Sequence, residues 1–294
     1  MVDEAGGTAP ELTSKTVQRY YDYTRRFYRV FWHGDTNALH YGIYDESAHT
    51  HKEALLRTIA VTAKSASITA SDTVADLGCG IGGSAFWIAK HLGAEVHGIT
   101  LSKGQYEKAK RLCHAYELEE KVQFTQGNFL STPFPNGQFD VAIGIEALCH
   151  GQHMIDELAR ELFRIVKPGG RIAVMDGYLG TKELTEEEKK AVKIFEEGLA
   201  LVKMITPRCF MEALERVGFK RVTFTDYTNK VLPTTEKMYT LKALVYSHQT
   251  LVSSRAGSRT DVKKQLSGAG TKRPNETEST YIWMYHRRKI IIYD

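Results

Sequence analysis

The stretch Val74-Ala75-Asp76-Leu77-Gly78-Cys79-Gly80-Ile81-Gly82-Gly83 decides the fold of this 294-residue chain. A short apolar run ends in an acid, a turn with four glycines follows, and a helical stretch from Ser84 to Leu92 comes next. This is the layout of a cofactor loop at the first strand–helix junction of a doubly wound sheet. Glycine serves there because it permits positive φ in a tight turn. It also lets a ligand approach the backbone with no Cβ in between.

The spacing narrows the cofactor. Gly78, Gly80, Gly82 and Gly83 give G-x-G-x-G-G, whereas a dinucleotide loop reads G-x-G-x-x-G with an acid about 20 residues on. Here the acid, Asp76, precedes the glycines. A carboxylate beside a pyrophosphate at a helix N-terminus would repel it. S-adenosylmethionine has a sulfonium and an ammonium and no phosphate, so it tolerates that acid. The loop alone leaves a dinucleotide site or a chance glycine-rich turn open.

The downstream pattern favours the first reading. Glu95 to Ile99 reads as a second strand, Lys103 to Glu117 as a helix, Val122 to Gln126 and Phe139 to Gly144 as further strands. A helix over about His153 to Val166, a Lys167-Pro168-Gly169-Gly170 turn and a fifth strand, Arg171 to Met175, follow. Strands and helices alternating at this spacing predict a parallel sheet covered on both faces. Two later runs, Arg221 to Tyr227 and Thr280 to Tyr293, read as antiparallel strands. The expected fold class is therefore α/β, a Rossmann-like doubly wound, seven-stranded, mostly parallel sheet. Asp76 to Gly83, Thr100-Leu101-Ser102, Asn128-Phe129 and Ile145-Glu146 all fall at strand carboxyl ends, where such sheets bind ligands.

These motifs carry a resemblance. The chain is similar to the class I S-adenosylmethionine-dependent methyltransferases, and most to the sterol 24-C-methyltransferase and tocopherol methyltransferase group. Asp76 to Gly83 matches the group's glycine motif; Gly98 to Ser102 with Gln105 resembles its ribose-side segment. Ile145-Glu146-Ala147-Leu148-Cys149-His150 resembles an Ile-Glu-Ala-Thr-Cys-His stretch of sterol enzymes, and Tyr20-Tyr21-Asp22 with Phe27, Tyr28 and Trp32 their N-terminal aromatic segment. The likeness covers about residues 16 to 180. It implies an S-adenosylmethionine site in which Asp76, Gly78, Cys79 and Gly80 form the loop, Gly78 and Gly80 against the methionine part. Thr100, Leu101 and Gln105 would lie near the ribose, Asn128 and Phe129 beside the adenine, and Ile145 and Tyr21 would close the cleft. Two departures stand out: Thr100 and Asn128 occupy positions where many members carry acids. Cys149-His150 replaces the Glu-His pair of cyclopropane synthases, which speaks against bicarbonate-assisted cyclopropanation.

Composition sets bounds. At 42% hydrophobic residues the chain can bury a sizeable core, and a net charge of +4 is too mild to argue for nucleic acid. There is also no Asn-Pro-Pro-Tyr type tetrapeptide for a flipped base. No apolar stretch approaches the length of a membrane span. Four scattered cysteines without C-x-x-C suggest reduced thiols and a cytoplasmic setting rather than a zinc site. His33, His40, His49 and His51 are not spaced as a metal face, so no metal is expected.

Three regions flank the core. Residues 1–64 form an expected helical arm whose aromatics either pack on the core or cap the cofactor. Residues 65–294 form the expected Rossmann-like domain, with lid helices at about 181–206 and 233–275. The first lid opens with Thr185-Glu186-Glu187-Glu188, a capping pattern, followed by Val192, Phe195, Leu199 and Val202 at helical spacing.

Methyl transfer from a sulfonium needs in-line alignment and water exclusion more than acid–base chemistry. Where the acceptor must lose a proton, His150 and then Glu146 are the candidate catalytic residues. Tyr28, Trp32 and Tyr41 are candidate substrate-pocket residues, whose rings could stabilise a cation formed on an alkene or aromatic acceptor. The expected partner is a small lipophilic acceptor, with a homodimer left open. N-methylation of a small amine or amino acid and a non-catalytic cofactor-binding protein are the alternatives.

Overall fold

The computed structural model describes residues 34–181, 183–235 and 288–293. Helix α1 spans His51–Ser65, with Thr50 and Glu53 closing a capping box at its start. Strand β1 is Thr73–Leu77, α2 is Gly83–Leu92, β2 is Glu95–Thr100 and α3 is Lys103–Ala115. Then come β3, Val122–Gln126; β4, Phe139–Ile145; a 3₁₀ turn, Leu148–Met154; α4, Ile155–Ile165; and β5, Val166–Gly177. The chain continues through α5, Glu186–Gly198, α6, Pro207–Val217, β6, Thr223–Asp226, and β7, Arg288–Tyr293.

Five strands run parallel in the order β3-β2-β1-β4-β5, and antiparallel β7 then β6 extend the sheet beyond β5. From β1 the chain steps to one side through β2 and β3 and then crosses back to β4 on the other side of β1, so a crevice opens at the carboxyl end of β1. Both faces are covered, which is why β1 and β4 read as nearly unbroken apolar runs. Side chains alternate between two cores: Val141, Ile143 and Ala173 pack with α1 and α2, while Ala142, Ile172 and Val174 pack with Phe210 of α6 and Leu158 of α4.

Two expected elements take a different form. The helix expected from His153 is split into the 3₁₀ turn and α4. Side-chain bonds explain this: Asp176 accepts the Cys149 N–H at 2.7 Å and Gln152 Nε2 donates to the Gly177 carbonyl at 2.9 Å, so local partners shape the turn. Strand β5 begins at Val166 rather than Arg171, because Phe139 pairs Val166 and Val141 pairs Arg171 across a register shift. The Lys167-Pro168-Gly169-Gly170 turn is thus a bulge within the strand.

Helix α5 has the expected start, with Thr185 and Glu188 forming a capping box. The arm up to residue 33 and the block 236–287 lie outside the described residues, and with them Tyr21, Tyr28 and Trp32. Residues 228–235 are helical and grip the segment before α1: Tyr44 N–H bonds the Lys230 carbonyl and Thr234 Oγ1 bridges both polar groups of Gly42. Among the described residues no helix is long and apolar enough to cross a membrane.

Candidate active site

Beyond the carboxyl ends of β1, β2 and β4 lies a cavity of about 280 Å³. Its wall includes Asp76, Gly78, Cys79, Gly80, Thr100, Leu101, Gln105, Asn128, Phe129, Ile145, Glu146 and His150. Every described residue expected at the cofactor, and both candidate catalytic residues, thus meet in one place. Tyr41 does not: its ring is buried with Ile43, Leu55 and Ile59 in the core, so this aromatic serves packing.

The glycine loop is shaped by its neighbours. Gly78 has φ +77, and a Cβ there would collide with the Ala147 methyl. Ala147 arrives there because the chain kinks out of β4 at Glu146, whose φ is +50 and whose N–H bonds the Met175 carbonyl at 2.7 Å. Gly83 meets a different demand. A Cβ on it would lie 2.6 Å from the Asn37 carbonyl oxygen, so its absence lets the segment bearing Asn37 to His40 cross the start of α2.

Polar contacts set the electrostatics. Asp76 is buried and accepts the Ser84 hydroxyl. Burial pushes its carboxyl up to about 6, against the downward pull of the Ser84 and Ala85 donors. Thr100 Oγ1 donates to Gln105 Oε1 at 2.8 Å, and Ser102 caps α3. Asn128 Oδ1 accepts the Leu130 N–H at 2.9 Å. Burial raises the Cys79 thiol well above its usual range, which keeps it a neutral wall group.

On the other side, burial pushes the His150 imidazole down to about 4, against a raising hydrogen bond to the Ala200 backbone just after α5. His153 is lowered by the same cause. A neutral His150 can accept a proton or orient an acceptor, and Glu146 adds a carboxylate to the same wall. The depressed value of His150 also links to stability. The unfolded chain binds a proton near pH 6.5 that the folded chain refuses until about pH 4, so His150's contribution is present above 6.5 and lost as pH falls. Stability of the native chain is therefore expected to fall more steeply than that of His150→Gln between pH 6.5 and 4. Denaturant titrations check this; equal slopes would place the imidazole in water.

Sequence reasoning missed several wall residues: Asn37, Ala38, Leu39, His40, Ser131, His153, Met154 and Glu157. Ser84 was within reach, since it follows the last glycine at the helix start. The others lie on segments without a motif, and only the folded chain brings them in.

The methyltransferase-domain family model matches residues 74–170, the span carrying the glycine loop, most of the cavity wall and the bulge at the start of β5. The chain is related to the class I S-adenosylmethionine-dependent methyltransferases. The tocopherol O-methyltransferase of Arabidopsis thaliana is 35% identical over 185 residues, 58% of this chain and 51% of that protein. The sterol 24-C-methyltransferase of Saccharomyces cerevisiae is 28% identical over 227 residues, 75% of this chain and 59% of that protein. The chain thus spans about half to three-fifths of the length of these relatives. Among solved structures, the geranyl diphosphate C-methyltransferase of Streptomyces coelicolor, in complex with Mg2+, geranyl diphosphate and S-adenosyl-L-homocysteine, superimposes with a TM-score of 0.67. That match has 20% identity and covers 96% of this chain and 98% of the other, so it speaks for a shared methyltransferase fold.

Proposed function

We propose that this chain transfers the methyl group of S-adenosylmethionine to a lipophilic small molecule of isoprenoid, sterol-like or quinol type, on carbon or oxygen. The observation that carries the reading is the meeting of the glycine loop, Asn128-Phe129 and Glu146 with His150 on one cavity. The residues fit the cofactor: the side-chain-free Gly80 opens onto the cavity, and the acid beside it suits a cationic ligand. Bound there, S-adenosylmethionine supplies a methyl group already activated on sulfur.

The chain's own residues then bind and orient. Asp76, Gly78, Cys79 and Gly80 hold the methionine end; Thr100, Leu101 and Gln105 face the ribose; Asn128 and Phe129 flank the adenine; Ile145 closes the wall. Tyr21 and the arm 1–64 cap the cleft over the domain 65–294, with lids at about 181–206 and 233–275, and Tyr28 and Trp32 line the acceptor side. The lids exclude water. For a hydroxyl acceptor the new C–O bond replaces the C–S bond, and the hydroxyl proton passes to His150 or Glu146. The chain acts in the cytoplasm, without stable membrane insertion and without nucleic acid, alone or as a homodimer.

The relatives' names, tocopherol and sterol, support a lipophilic acceptor, and the carboxylates Glu146 and Glu157 in the wall support the second reading, a small amine. Methyl-labelled S-adenosylmethionine incubated with the protein and a cell extract tests both. Label is expected in the organic phase. Label confined to the aqueous phase supports the amine, and no transfer to any fraction removes the enzymatic reading.

A further inference from the structure

The loop after β3 carries Asn128 and Phe129 at the cavity, yet it has little regular structure of its own: one bridge, Asn128 with Ser131. Its shape comes from helix α4. Glu161 Oε1 accepts both the Thr132 N–H at 2.7 Å and the Thr132 hydroxyl at 2.6 Å. Arg164 grips the same carboxylate with two nitrogens, Nε at 2.8 Å and an η-nitrogen at 2.7 Å. Its other η-nitrogen donates to the Phe134 carbonyl at 2.7 Å and to Asn136 Oδ1 at 2.9 Å. The Gly137 N–H closes the far end on the Arg164 carbonyl at 2.8 Å.

Glu161 and Thr132 are buried, so these are charge-assisted bonds largely shielded from water. Burial would raise the Glu161 carboxyl, and the Arg164 and Thr132 donors together hold it below its usual value. An i,i+3 Glu–Arg pair on a helix is ordinarily a solvated pair of small effect. This one instead spends its donors and acceptors on a loop running from the cavity to β4. Neither Glu161 nor Arg164 touches the cavity.

We propose that Glu161 and Arg164 are positioning residues for the cofactor's adenine: they clamp residues 131–137 and thereby fix Asn128 and Phe129 at the base. The proposal rests on the cofactor reading above. It makes adenine affinity depend on a pair that never contacts the ligand. A fork is required for this, because one guanidinium must serve a carboxylate, a carbonyl and an amide oxygen at once; a lysine ammonium cannot span them.

The test measures S-adenosylhomocysteine binding by calorimetry on the full chain, with unliganded melting curves alongside. Arg164→Lys is expected to raise the dissociation constant about tenfold, since small misplacement of positioning groups weakens a site strongly. The ring-current shift that Phe129 imposes on the bound adenine protons moves toward its free value in the same variant. Arg171→Lys is the control. It weakens the half-buried pair of Arg171 with Asp72, which lies outside the cavity wall, and is expected to lower the melting point while leaving affinity and ring-current shift as in the native chain. If Arg164→Lys fails to fold, Thr132→Val, which removes a single hydroxyl from the clamp, decides the matter by the same two readouts. A folded clamp variant with native affinity and native adenine shifts overturns the proposal alone. A native chain that does not bind S-adenosylhomocysteine overturns the cofactor reading and this inference together.

Discussion

Gly80→Arg is expected to abolish S-adenosylhomocysteine binding, with a loss of at least about 100-fold, or about 2.8 kcal/mol, while the fold survives. A Cβ at Gly80 meets nothing nearer than Gln105 Nε2 at 3.9 Å, so the protein itself does not block a side chain. The room a side chain would fill is the cavity. The guanidinium adds a positive charge where a sulfonium and an ammonium are to be held. The fold pays only for an L-residue at φ +57, about 1–2 kcal/mol. Gly78 makes the contrast: there a Cβ strikes Ala147, so even Gly78→Ala is expected to disturb the exit of β4. Calorimetry and thermal melting separate the two. Gly80→Arg binding S-adenosylhomocysteine within tenfold of the native chain would remove the glycine loop from the site.

What the sequence made legible followed from local physics. Glycines after an acid-ended apolar run announce a loop, and the run Val141 to Ile145 announces a strand buried on both faces. Thr185 with Glu188 announces a helix start, and the structure has that capping box. These signals lie within a few residues of one another. What stayed hidden depends on separations along the chain. Asn37 crosses Gly83 from more than 40 positions away. Thr132 finds Glu161 across 29 positions, and from sequence Glu161 and Arg164 are only charges on a helix face. Tyr41 shows the opposite failure. Its aromatic neighbours suggested a pocket wall, yet burial of a large ring is the commoner use, and Ile43, Leu55 and Ile59 surround it. The 3₁₀ turn was illegible for a related reason: its shape is dictated by Asp176, on a strand not yet paired when the sequence is read.

Asp176→Ala is expected to be the most damaging single change near the acceptor side. The carboxyl is buried and accepts two backbone donors, the Cys149 N–H at 2.7 Å and the Gly177 N–H at 2.9 Å. Removing it strands both, at about 1–3 kcal/mol each. It also frees the turn that carries His150, so methyl transfer should fall by about 100-fold while S-adenosylhomocysteine affinity changes little, because the glycine loop and the Asn128 loop are held by other contacts. Asp176→Asn does not rescue, since its amide NH2 must face one of the two N–H donors. The loss depends on pH in a stated direction. Burial, with the Glu146 carboxylate adding to it, pushes the Asp176 carboxyl up to about 7. A raised acid contributes its full stability below the unfolded value near 4 and loses it as pH rises through 7. The stability gap between the native chain and Asp176→Ala should therefore be widest near pH 4 and narrow toward pH 8. Denaturant unfolding across that range checks it. A gap that widens with pH would mean Asp176 works as a carboxylate held ionised by its donors, and a variant with native turnover would detach it from the His150 turn altogether.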